Sequence, residues 1–169
     1  IQRPVAIKVL RDAGDDAEHL ERFLREARLL SRFDHPNIVP VIDLGAEEGV
    51  AYFVMPLVVG ESLEALLKQG PLSETEALKI AIAVASALDY AHKAGVIHRD
   101  IKPSNVLVPT GDGRAAKLTD FGMQGALDAS TQQTKSGQIF GTVTYMAPEQ
   151  ITGQPQTSAT DVFGLGTLL

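Results

Sequence analysis

The segment Ser73-Glu-Thr-Glu76 sets a hydroxyl residue three positions ahead of a glutamate, so that each side chain can satisfy the other's backbone N–H at a helix start. Leu72 and Ala77 can close over it as a hydrophobic staple, and no Gly or Pro interrupts the chain until Gly95. This predicts one helix through Lys93, with Gly95 as its C-terminal stop. Ile80, Ala81, Val84, Ala85 and Leu88 are apolar on several of its sides, so the helix is expected at the centre of a core. A chain of 169 residues is long enough to bury one. Asp89 halts the apolar stretch well short of the ~18 residues a bilayer span requires, so no membrane segment is expected.

Ahead of that helix, Val5 to Leu10 reads as a strand, and Asp12 to Asp16 with Gly14 as a turn. Leu20, Phe23, Leu24, Ala27 and Leu30 give helical spacing from Ala17 to Phe33, which His35-Pro36-Asn37 ends. Two strands are expected at Ile38 to Leu44 and Val50 to Met55, then a connector from Pro56 to Gly60. After Gly95, Val96-Ile97, Val106 to Val108 and Ala115 to Thr119 read as short strands, and the Ser-, Thr-, Gln- and Gly-rich stretch from Gly125 to Gly141 as a loop. The absence of cysteine excludes disulfides, thiolate metal sites and Cys nucleophiles. A net charge of -6 argues against a nucleic-acid partner, which demands a cationic surface.

The polar chemistry gathers in His98-Arg99-Asp100-Ile101-Lys102-Pro103-Ser104-Asn105, a loop with a short strand on each side, and in Asp120-Phe121-Gly122 after a third strand. Phosphoryl transfer needs a carboxylate to orient the attacking hydroxyl, oxygen ligands for Mg²⁺ and a cation for the phosphates. Asp100, Asn105, Asp120 and Lys102 are the right types of group. Taken singly, Asp100 and Asn105 are more readily read as turn caps.

Together with Val5-Ala6-Ile7-Lys8 and Ala147-Pro148-Glu149, these segments resemble the eukaryotic-type (Hanks-type) protein kinase domain in content and order over essentially the whole chain. Gly141 to Gln150 is most similar to the bacterial receptor-type branch. The resemblance implies an α+β, two-lobed fold truncated at both ends: a partial N-lobe at 1–55, a hinge at 56–60 and a partial C-lobe at 61–169. It implies ATP and Mg²⁺ as cofactors and protein substrates with Ser or Thr acceptors, with self-phosphorylation and homodimers as further expectations. A cytoplasmic location is expected, in a parent that a membrane anchor elsewhere is free to hold.

Residue by residue, the resemblance makes Asp100, Lys102, Asn105 and Thr142 catalytic, and Asn105 and Asp120 metal ligands. Ala6 and Leu107 would sandwich adenine, Met55 would be the gatekeeper, and Lys8 would hold the α- and β-phosphates while paired with Glu26. A helical wheel supports that partner: Glu26 falls at about 240° from Leu20, between Phe33 and Leu30, while the other charged residues of the helix lie at about 80–200°. Leu30, Val41, Phe121 and His98 would stack as a structural column. Arg99 would receive a phosphate from the loop, for which Thr134 and Ser136 are the acceptors. Only seven residues precede Lys8, too few for the family's glycine-rich loop, so this piece alone is expected to be inactive. The rival reading is a pseudokinase, a binding module that has lost one of these groups; Lys8, Asp100 and Asp120 are all present.

Overall fold

The structure, a computed structural model, describes residues 3–10, 25, 27–47, 50–111, 115–121 and 143–169. Strands β1 (Val5–Leu10), β2 (Asp43–Glu47) and β3 (Val50–Pro56) form an antiparallel sheet in the order β1-β3-β2. Side chains alternate across a strand, so β1 turns Val5, Ile7 and Val9 outward and Ala6 and Lys8 inward. Residues paired across the ladder share a face: Ala6 lies opposite Met55 and Lys8 opposite the buried Phe53.

The expected strand from Ile38 begins later, at Asp43. Ile38 makes one isolated parallel bridge to Leu118, and Val39 N–H donates to Leu118 O at 2.9 Å. Ile38, Val39 and Val41 are buried, so their apolar, β-branched pattern reports a crossing through the core rather than a place in the sheet. That crossing joins the first sheet to a second, ordered β4 (Gly60–Ser62), β5 (Val106–Pro109), β6 (Lys117–Leu118). Strand β4 occupies the end of the expected connector; Gly60 suits it because a Cβ there would collide with the carbonyl of Val108. Val96-Ile97 is not a strand, since Val96 N–H instead closes the preceding helix on Ala91 O.

Helix α1 (Leu63–Gln69) is capped by Ser62. Helix α2 (Glu74–Lys93) opens with the expected reciprocal cap: Glu76 N–H donates to Ser73 Oγ at 3.3 Å and Ser73 N–H to the Glu76 carboxylate at 3.1 Å. The Ser73 hydroxyl and the Ser73 N–H, both donating to the Glu76 carboxylate, hold that carboxyl below the usual range. Gly95, at φ 76°, follows its end. The helix buries one stripe, Ala83, Val84, Ala87, Leu88 and Ala91, while Ile82 is 68% exposed. Its expected central position is thereby corrected: among the described residues it is covered on one face, which its alanines let neighbours approach closely. Among the described residues two further α-helices follow, α3 (Pro148–Ile151) and α4 (Ser158–Leu168). The core they share includes Leu30, Phe33, Phe53, Leu88, Val106 and Leu118. No helix among the described residues is long and apolar enough to cross a membrane.

Candidate active site

Between α2 and β5 the chain runs as an irregular loop whose backbone groups need partners, and a buried acid supplies them. Asp161, in the first turn of α4, accepts from His98 N–H at 2.8 Å, Arg99 N–H at 2.7 Å and His92 Nε2 at 2.7 Å. It is 1% exposed, so all its acceptor capacity is spent inside the protein. His98 is wholly buried beneath Phe121, with ring centroids 4.6 Å apart. Its Nε2 faces the carbonyl of Thr119 at 2.8 Å and its Nδ1 faces the N–H of Asp100 at 3.2 Å. A carbonyl only accepts, so the proton sits on Nε2 and the ring is neutral. Burial pushes its pKa down, against the opposing pull of Thr119 O and the nearby aspartates. Leu30, Val41 and Phe121 are buried in one core, and of the expected column His98 and Phe121 are in ring contact.

The loop then presents Asp100. Its Oδ2 receives Lys102 Nζ at 2.7 Å and Asn105 Nδ2 at 2.9 Å, and Asn105 Nδ2 also reaches Asp100 O at 2.8 Å. Both donors bind one oxygen, and among the described residues Oδ1 has no partner. Asn105 uses its amide nitrogen here, so its amide oxygen points away from Asp100. Thr119 ties the second acidic motif to this group: its N–H donates to Asn105 O at 3.0 Å, and its hydroxyl donates to Met55 Sδ at 3.8 Å. Asp120 follows at once and pairs with Lys8 at 2.7 Å, their side chains 22% and 39% exposed. Arg99 and Asp120, at φ 70° and 66°, are the non-glycine residues with left-handed backbone among those described. Such a conformation costs roughly 1–2 kcal/mol, so surrounding bonds must enforce it.

The structure thus brings Asp100, Lys102 and Asn105 together, and Lys8 with Asp120, while Ala6, Met55 and Leu107 lie on β1, β3 and β5. Glu26, Thr142, Thr134 and Ser136 lie outside the described residues. No group of three or more His, Cys, Asp or Glu able to hold a metal occurs among the described residues. Asn105 and Asp120 still offer hard oxygen donors of the kind Mg²⁺ takes when phosphates and waters complete its shell. Sequence reasoning missed Asp161 and Gln150. The first reads as a helix-start acid and the second as a surface amide, and only their long-range bonds reveal them.

The protein kinase domain model matches residues 1–169. The chain is 43% identical to the serine/threonine-protein kinase PrkC of Bacillus subtilis over its whole length, and 44% identical to PknA of Mycobacterium tuberculosis over 98% of it. It spans 26% and 39% of those proteins. A crystal structure of the Mycobacterium tuberculosis PknI kinase domain superposes with a TM-score of 0.76 at 34% identity, covering 97% of this chain and 61% of that one. The likeness in sequence and the shared fold agree: the chain belongs to the protein kinase domain family, in its bacterial serine/threonine branch.

Proposed function

We propose that the protein carrying this chain is an ATP- and Mg²⁺-dependent kinase acting on Ser and Thr of proteins. The observation that carries the reading is Asp100, whose carboxylate is oriented through Oδ2 by Lys102 and Asn105, with Oδ1 unpartnered among the described residues. Asp100 would align the substrate hydroxyl and take its proton, and Lys102 would face the charge developing on the transferred phosphoryl group. Asn105 and Asp120 fit the metal by donor type, and Lys8 fits the α- and β-phosphates. Bound Mg²⁺ would neutralise phosphate charge. Met55 with Ala6 and Leu107 would line the adenine side. Thr142 would bond the catalytic pair, and Glu26 would share Lys8 with Asp120. The pseudokinase alternative lacks its usual mark, a lost lysine or aspartate.

Regulation by self-phosphorylation at Thr134 or Ser136 belongs to the same reading. It is supported by Arg99, whose buried Nε has no partner among the described residues and whose planar fork suits a phosphate. One experiment addresses both points. The full-length protein, incubated with labelled ATP and a generic Ser/Thr substrate, should transfer phosphate and carry it on Thr134 or Ser136 by mass spectrometry. Asp100→Asn should slow transfer at least about a hundredfold. Transfer at the parental rate by that variant would sink the assignment, and an unmodified loop in fully active protein would sink the regulatory part.

A further inference from the structure

Gln150, the last residue of the Pro148-Glu149-Gln150 run, spans two elements with one carboxamide. Its Nε2 donates to Arg99 O at 2.7 Å, and its Oε1 accepts from Ala147 N–H at 2.9 Å. The first bond is long-range, 51 residues back along the chain, and it lands on the peptide group that links Arg99 to the catalytic Asp100. Arg99 is also one of the two strained residues, at φ 70°. Its N–H is held by Asp161 and its C=O by Gln150, so the left-handed residue is gripped on both sides.

The element that carries Gln150 is itself fixed. Glu149 accepts from the Thr160 hydroxyl at 2.6 Å, which ties α3 to α4 and holds the Glu149 carboxyl below its ordinary range. Thr160 and Asp161 are neighbours on α4, both buried. A closed ring results: Arg99 to Asp161, Asp161 along α4 to Thr160, Thr160 to Glu149, and Gln150 back to Arg99. A surface amide would have no reason to aim at that carbonyl.

We infer that Gln150 is a positioning residue for phosphoryl transfer, which holds the Arg99–Asp100 peptide so that the Asp100 carboxylate meets the acceptor hydroxyl. This rests on the kinase reading above. The carboxamide acts through the backbone and touches neither nucleotide nor acceptor. It also couples the stretch from Val143 to Ile151 to the catalytic loop, so that a shift in one is felt at Asp100.

Gln150→Glu tests this with little change of shape. The carboxylate keeps the acceptor for Ala147 N–H but loses the donor to Arg99 O. Expected in the full-length protein are a kcat lower by about tenfold, a KM for ATP within about twofold and a melting temperature close to parental. Amide hydrogen exchange should also quicken in residues 98–100. Gln150→Met, nearly the same length with neither donor nor acceptor, should show the same split and stands in if the Glu variant fails to fold. Parental kcat in either folded variant overturns the inference, as does a loss of kcat matched by a rise in the KM for ATP. If the parental protein transfers no phosphate, the kinase reading falls on its own, and exchange at residues 98–100 still judges the tie.

Discussion

Around Asp100 the chain is held redundantly: Asp161 and Gln150 grip the backbone on either side of Arg99, His98 receives the Asp100 N–H, and Lys102 and Asn105 fix its carboxylate. Lys8 presents the opposite case. Its strand exposes every second side chain, with Ile7 at 60%, and among the described residues its charge is met by an ion pair to a partly exposed aspartate. A buried, hydrogen-bonded carboxylate is costly to break, whereas an exposed pair contributes little to stability. The loop around Asp100 is therefore fixed by many bonds, whereas the Lys8–Asp120 pair is a contact of the kind that exchanges readily. In the proposed kinase, a site that lets nucleotide in and out would draw on both kinds of support.

Asp161→Ala is the largest stroke against this contrast. It strips three donors of a buried acceptor, and stability to denaturant should fall by about 3 kcal/mol or more. A loss below about 1 kcal/mol would mean the loop is held by something else. A middle-sized effect comes from His98. Its folded pKa is depressed, so the stability it lends is complete above the unfolded value near 6.5 and is lost as pH falls from there toward the folded value. Between pH 7 and pH 5.5 the parental protein should lose about 1 kcal/mol that His98→Gln does not lose. Equal pH dependence in both would place the ring in a polar setting. The smallest change in stability is expected for Lys8→Met, under about 0.5 kcal/mol, alongside a clear loss of affinity for Mg²⁺–ATP in titration. A marked drop in melting temperature with nucleotide affinity intact would reverse the comparison.

The parts legible in the sequence were those specified by near neighbours. The cap at Ser73 and Glu76, the stop at Gly95 and the strands Val5–Leu10 and Val50–Pro56 each rest on residues a few positions apart. Asp100, Asn105 and Asp120 were legible because their spacing is itself the motif. Asp161 was not, since an acid in the first turn of a helix ordinarily answers the helix dipole, and nothing local says that it is buried. The crossing at Ile38 to Val41 misread as a strand for the same reason: β-branched residues serve burial and pairing alike, and only the bond to Leu118 separates the two.

The ring through Arg99, Asp161, Thr160, Glu149 and Gln150 also sets an order of events during synthesis. A ribosome releases the chain from its N-terminus, and local structure forms as it emerges. Strands β1 to β3 are complete once Pro56 has appeared, so that sheet can assemble early. The loop at His98 to Asn105 emerges long before Gln150 and Asp161, which bond to it from 51 to 63 residues downstream. Until those residues arrive, nothing grips Arg99 in its left-handed backbone, and the peptide that carries Asp100 lacks its long-range ties. A ribosome stalled before Asp161 would display a nascent chain with its first sheet formed and Asp100 held by its near neighbours alone, so the final setting of that acid is acquired late in translation.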